Sequence, residues 1–277
     1  MRGALICAVM ALAATAWGQQ SKDPRIAFLY PAGAQQSESL EVAVGGQQLA
    51  QITEARISGT GVRVSVAGYS CPLPGKRFQE FRETLAAHNK EMMQAGGKKP
   101  KPAPEKDIAS ILQEAGASEE EIRLFTIMQH QRNDAKRQDN KQLAESVALR
   151  VDIAPDAPPG RRAIRLLGKN GISNPLVFSV GAYPEVREPP STELSPPRPA
   201  PLTFPVVING QSLPGETDRY TFRATRGQKL VFVGQARALV PYLADAVPGW
   251  FQMVLAVRDA PGNKLVEARS FRFAPDP

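Results

Sequence analysis

The distribution of proline restricts the fold of this chain more than any other feature. Proline accounts for 25 of the 277 residues, nearly twice the roughly 5% of average usage. Eight of these prolines fall within the 23 residues from 183 to 205. Because proline lacks an amide hydrogen and fixes φ, this segment is unsuited to a helix interior or a central strand. It predicts a semi-rigid linker at 183–205 and therefore a boundary between two domains.

The first 18 residues are typical of a secretory signal peptide. Arg2 precedes an apolar run at 4–17, and the small residues Ala16 and Gly18 stand at the −3 and −1 positions of a cleavage site. The run is shorter than the ~20 residues that a membrane-spanning helix needs. We predict cleavage after Gly18, a secreted or extracytoplasmic protein, and no transmembrane segment in the mature chain.

Alternating apolar residues predict a β-sandwich between residues 24 and 182. The period of two is clearest at 40–44 and 62–66, and glycine turns separate such runs about every ten residues. Strand patterns return at 147–153, 162–166 and 176–180. Neither half has enough strands to stand alone, so we predict one sandwich interrupted by an insertion.

The interrupting segment, at about 76–144, has helical periodicity. Phe78, Phe81 and Leu85 form an apolar stripe, and a basic proline-rich loop at 98–104 ends that first helix. Asp107 is positioned to cap a second helix, and Ser118 with Glu121 forms a capping box for a third. We therefore predict a helical insertion in the sandwich.

Residues 206–277 form a second β-rich region that resembles a known family. Tyr220 and Phe222 alternate with polar residues, as do Leu230 and Phe232 with their neighbours, which predicts strands at 218–222 and 230–233; further strands are predicted at 251–257 and 271–273. The resemblance is carried by Val207 to Gly210, Gly215 to Ala224 and Gly227 to Leu230, and it is to the bacterial pre-peptidase C-terminal (PPC) domain. It implies a jelly-roll β-sandwich of the kind carried by secreted proteases and surface proteins. The family pattern continues with further closing strands, so we expect an incomplete domain whose open sheet edge a strand-donating partner could cover.

The first sandwich is similar to the immunoglobulin-like IPT/TIG domains of bacterial surface proteins. The similarity is carried by Tyr30 to Gly33, Leu40 to Leu49, Ser58 to Val62, and the segments 154–160 and 171–178. The predicted fold class is thus mainly β: an immunoglobulin-like sandwich with a helical insertion, followed by a partial jelly-roll β-sandwich.

The residues needed for catalysis are scarce. His88 and His130 are the only histidines, 42 positions apart, and neither has a second histidine at i+4 that would clamp zinc. There is no Gly-x-Ser-x-Gly elbow and no phosphate-binding loop. Cys71, the one cysteine left after signal cleavage, has no histidine or lysine as its immediate neighbour and is expected to be partly buried. We expect no enzyme activity, no metal and no cofactor.

The candidate ligand-binding residues are Glu216, Asp218 and Arg219, which lie on a turn that enters a strand. A calcium site would need several converging oxygen atoms, and the alternative is that Asp218 ties the turn by accepting backbone N–H bonds. The formal net charge of +7 suits an anionic polysaccharide better than nucleic acid in a secreted protein, or serves only solubility.

These features predict a secreted or cell-surface, non-catalytic binding and interaction module. Its expected partner is an extracellular protein or a polysaccharide, and nucleic acid is not expected. Two alternatives stay open: an accessory, peptidase-associated part of a secreted hydrolase, or a structural spacer without a ligand.

Overall fold

The computed structural model describes residues 23–94, 105–133, 143–188, 200–211, 217–236, 239 and 253–269. The signal-peptide prediction therefore lies outside the described residues. The strands are β1 (Arg25–Tyr30), β2 (Gly33–Gln35), β3 (Ser39–Gln47), β4 (Ile52–Ile57), β5 (Val62–Ser70), β6 (Glu145–Ile153), β7 (Gly160–Gly168), β8 (Gly171–Ile172), β9 (Leu176–Gly181), β10 (Glu185–Arg187), β11 (Val207–Asn209), β12 (Val254–Arg258) and β13 (Lys264–Arg269). The helices are α1 (Gly75–Gln94), α2 (Glu105–Glu114) and α3 (Glu119–Asn133).

Two sheets pack around one apolar core. Sheet 1 is antiparallel in the order β1-β3-β6-β5, and sheet 2 has the order β2-β9-β7-β4 with β8 beside β7. Sheet 1 contributes Val42, Leu149 and Val151 to the core, and sheet 2 contributes Ile164 and Phe178, all fully buried. The predictions of a mainly β chain and of a β-sandwich are confirmed.

The alternation in sequence decides which face of each strand is buried. In β3, Leu40, Val42 and Val44 point into the core, whereas Ser39 and Glu41 are exposed. Successive side chains of a strand point to opposite faces, so one period-two run supplies both the core and the solvated outer face.

The helices occupy the connection between two neighbouring strands. β5 and β6 pair antiparallel, with Ser70 opposite Ser146, so the chain leaves the sandwich at Ser70 and returns at the same end. We call residues 71–144 the insertion. Helix α2 begins at Glu105, so Asp107 lies within its first turn, and the prediction that Asp107 caps the helix is wrong.

The insertion has its own small core, separate from that of the sandwich. Phe125 is fully buried and its ring centroid lies 4.9 Å from that of Phe78 and 5.6 Å from that of Phe81. The other buried members of this core are Leu73, Leu112 and Ala117. The stripe predicted from sequence is thus the surface that holds the three helices together.

The predicted capping box at the start of α3 is confirmed. The Glu121 amide donates to Ser118 Oγ over 3.2 Å, and the Ser118 amide donates to Glu121 Oε2 over 2.9 Å. Arg77 of α1 donates to the same carboxylate over 2.9 Å. The hydrogen bond from Arg77 and then that from Ser118 lower the pKa of Glu121 to about 2, so its charge joins α1 to α3 at ordinary pH.

Residues 185–187 of the predicted linker form a strand. β10 (Glu185–Arg187) pairs in parallel with β11, and Glu188 N donates to Asn209 O over 3.0 Å. Residues 185–187 contain no proline, so they can supply the amide hydrogens that a strand needs. The proline-rich part at 189–199 lies outside the described residues.

The region after the linker has few strands among its described residues. The strands predicted at 218–222 and 230–233 are not formed; this stretch has one isolated bridge, between Leu202 and Phe222. Phe222 and Phe232 nevertheless face the same side and pack with Phe204, whereas Val231 is 87% exposed. Alternation sets the side on which residues lie, but a strand also needs a neighbouring backbone to bond to.

The predicted strand at 251–257 corresponds to β12, which pairs antiparallel with β13 as a hairpin. The predicted strand at 271–273 lies outside the described residues. None of the three described helices is long and apolar enough to cross a membrane.

Candidate functional site

An open pocket lies at the end of the sandwich from which the insertion emerges. Its volume is about 260 Å³. The lining residues are Gln48, Ala50, Gln51, Tyr69, Glu145 and Asn170. They come from the β3–β4 connection, the last residues of β5, the first residue of β6 and the β7–β8 turn. Both sheets and both stems of the insertion therefore contribute to this site, which we call the end pocket.

Glu145 holds the wall of the end pocket in place. Its carboxylate accepts the Gln48 amide over 2.9 Å and the Leu49 amide over 2.7 Å. Gln48 has a φ of +61°, the left-handed region that side-chain-bearing residues rarely adopt. Two charge-assisted hydrogen bonds to successive amides stabilise this conformation and fix the direction of the Gln48 side chain.

Tyr69 supplies the aromatic surface of the end pocket. It is 43% exposed, and its hydroxyl donates to Glu145 Oε2 over 3.1 Å. Partial burial and then the charge of Glu145 raise the pKa of Tyr69 above its ordinary value, so the phenol stays protonated. The residue is therefore partly exposed while its hydroxyl is held by Glu145.

The end pocket has hydrogen-bonding residues on a largely apolar surface. Gln48, Gln51 and Asn170 each carry an amide with two donor hydrogens and an acceptor oxygen, and Tyr69 adds an aromatic face. No histidine, cysteine or serine is among the residues that line it. The volume is below the ~300–1,000 Å³ of drug-sized ligand pockets, which suits one small polar unit.

The candidate residues chosen from sequence do not line the end pocket. Asp218 and Arg219 are exposed in an irregular segment, and Glu216 lies outside the described residues. The charge of Asp218 contributes to the raised pKa of Tyr220, after burial and Glu188. The ligand-binding role of these three residues stays a prediction.

The histidines and the cysteine are dispersed. His88 is half-buried on α1, and the side chain of His130 lies outside the described part of the chain. Cys71 is exposed, so the expectation that it is partly buried is wrong: it lies in the irregular stretch between β5 and α1. Among the described residues, no three histidine, cysteine, aspartate or glutamate side chains cluster as a metal site would require.

The opposite end of the sandwich carries a second polar cluster, where β10 and β11 meet β1. The Tyr30 hydroxyl contacts Glu188 O and lies 3.2 Å from Asn209 O, while Ala32 N donates to Asn209 Oδ1 over 3.2 Å. Glu188 also accepts the Tyr220 hydroxyl. Burial and then Glu188 raise the pKa of Tyr30 to about 12, so it stays a donor. We call this cluster the joint.

An ion pair and a hydrogen bond complete the joint. Arg187 pairs with Glu38, and the Asn209 amide donates to Glu185. Burial raises the pKa of Glu185 to about 7, against the opposing effect of the Asn209 hydrogen bond. The joint therefore holds a carboxyl group that titrates near neutral pH.

Sequence reasoning did not single out the residues of the end pocket. They lie in four separate stretches and follow no motif spacing. The one local signal was the position of Gln48 after Gly45 and Gly46, at a turn, where binding residues are frequent. Only the pairing of β5 with β6 places Tyr69 beside Glu145, 76 positions away.

The chain matches none of the protein-family models against which it was compared, and no curated protein matches it.

Proposed function

We propose that this protein is a secreted or cell-surface, non-catalytic binding module that takes a carbohydrate unit in the end pocket. The observation that carries the proposal is that three amide-bearing residues, Gln48, Gln51 and Asn170, line one pocket together with the exposed Tyr69. Sugar hydroxyls both donate and accept hydrogen bonds, as amides do, and the apolar face of a sugar ring packs on an aromatic ring.

The proposed architecture combines an IPT/TIG-like first domain with a PPC-like second region. The two-sheet sandwich of residues 25–181 supports the immunoglobulin-like assignment. The packed rings of Phe204, Phe222 and Phe232 support the inner face of a PPC-like sandwich. The signal-peptide pattern at residues 1–18 supports the proposed extracytoplasmic location.

Loss of the tyrosine ring is expected to weaken carbohydrate binding about tenfold. Tyr69→Ala removes the stacking face, which contributes about 1–1.5 kcal/mol in aromatic contacts. Gln48→Gly is a second variant: it removes one amide, and glycine adopts the left-handed backbone without steric cost. A glycan array would identify the ligand, and titration calorimetry with that glycan would measure both variants.

Tyr183→Ala is the matched control, because Tyr183 is also an exposed tyrosine, 56% accessible, and does not line the end pocket. It should bind like the wild type. Equal affinity of Tyr69→Ala and wild type for the glycan would contradict the proposal. Absence of any saturable glycan binding would favour the spacer alternative, and binding only to a peptidase domain would favour the hydrolase-associated alternative.

A further inference from the structure

The outer faces of the two sheets differ in charge. On sheet 1, Arg63 lies opposite Asp152 and Arg150 lies opposite Glu41, and Arg25 is a third outward arginine, opposite Gln47. On sheet 2, the outward positions of β4 and β7 carry three arginines, Arg56, Arg161 and Arg165, and one carboxylate, Glu54. The excess of arginines over carboxylates is therefore two on sheet 2 and one on sheet 1.

Two of the sheet 2 arginines stand directly opposite each other. Arg56 of the edge strand β4 is the register partner of Arg165 on β7. Directly opposed residues have Cβ atoms about 5 Å apart, and like charges at that separation destabilise a sheet. Glu54 pairs with Arg56 over 2.7 Å, and Arg165 donates to Ser173 O over 2.7 Å. The carbonyl orients the Arg165 guanidinium without neutralising its charge.

We propose that the outer face of sheet 2 binds an acidic polysaccharide through Arg56, Arg165 and Arg161. Arg161 lies four residues from Arg165 on the same face, about 13 Å away, so the cations follow the strand direction as a linear polyanion requires. Guanidinium groups bind sulfate or carboxylate groups with two parallel hydrogen bonds. This face is separate from the end pocket, so the proposal stands without the function proposed there.

A polysaccharide fits this face better than single-stranded nucleic acid does. The outward residues beside the arginines are Ala163, Leu167, Val177 and Ser179, and Phe178 points into the core. Proteins that bind single strands stack bases on aromatic rings, which these outward positions of β7 and β9 lack. The face therefore offers its ligand electrostatic contacts from the arginines. Sulfated and carboxylated polysaccharides can both make such contacts.

The test is binding of the whole mature chain to dextran sulfate, with neutral dextran as reference, as a function of salt. For Arg56→Gln/Arg165→Gln we expect about tenfold weaker binding at 0.1 M NaCl. The slope of log Kd against log salt should fall by about two, because one counterion is released per ion contact. Arg56→Gln alone, which keeps the Arg165 bond to Ser173, should lower the slope by about one.

Arg63→Gln/Arg150→Gln is the matched control, since it removes the same charge from sheet 1. It should leave the slope unchanged. Equal losses in both double variants, or no binding of dextran sulfate by the wild type, would overturn the proposal. So would duplex DNA that binds as tightly and with the same dependence on Arg56 and Arg165. Tyr69→Ala should keep dextran sulfate binding, which separates this result from that of the end pocket.

Discussion

Phe125→Ala is expected to unfold the insertion while the sandwich stays folded. The side chain is fully buried and packs against Phe78 and Phe81, and the core it belongs to has six buried members among the described residues. Deletion of a buried phenylalanine costs about 3–5 kcal/mol, which is comparable to the whole stability of a small core. The sandwich core is a separate cluster, so its packing does not depend on Phe125.

Circular dichroism at 222 nm should show the loss of helix, and limited proteolysis should cut within 71–144 but not within β6–β9. Phe178→Ala is the matched control, because it makes the same deletion in the sandwich core. It should lower the melting temperature of the strands instead. A single cooperative transition shifted equally by both variants would show that insertion and sandwich are one folding unit.

The joint is expected to weaken as pH rises from 5 to 8. Burial raises the pKa of Glu185 to about 7 in the folded chain, above the 4.5 of an exposed glutamate. Between these values the folded state binds more protons than the unfolded state, so stability is fully present below about pH 4.5 and is lost as pH rises through about 7. The loss should be about 1–2 kcal/mol, because solvent screens this partly exposed group.

The groups that face Glu185 determine the control variants. Glu38 raises its pKa, whereas Arg187 and the Asn209 amide lower it. Glu185→Gln keeps an oxygen that accepts the Asn209 amide, so it should abolish the pH dependence and stabilise the joint at pH 8. Hydrogen exchange of residues 207–211 measures this directly. Glu54→Gln, an exposed carboxylate on sheet 2, should retain the wild-type profile, and a Glu185→Gln profile like that of the wild type would refute the assignment.

The sandwich shows which structural features a local sequence pattern can predict. The runs at 40–44 and 62–66 identified strands and their buried faces, because side-chain direction in a strand depends only on the backbone. The capping box of Ser118 and Glu121 correctly predicted the start of α3. Its two hydrogen bonds join residues only three positions apart, so it too is a local feature. Both features are local, so sequence spacing suffices to predict them.

In the second β-rich region, residues 206–277, local pattern did not suffice to predict strands. Tyr220, Phe222, Leu230 and Phe232 alternate as predicted, yet they form no ladder in the described residues. The segment at 185–187, by contrast, was assigned to a linker and forms a strand because Val207–Asn209 lies beside it. Strand formation depends on a partner backbone, which a single run of residues does not specify.

The sequence by itself determined the period-two and helical patterns, the proline-rich segment and the scarcity of histidine and cysteine. Only the tertiary structure decided which distant residues meet. Strand pairing brings Tyr69 to Glu145 and places Arg56 opposite Arg165, and neither juxtaposition has a sequence signature. The physical reason is that the register of each strand is fixed by burial of the whole sandwich core. Which side chains meet at the ends and on the outer faces of the sheets therefore depends on how many strands pack together.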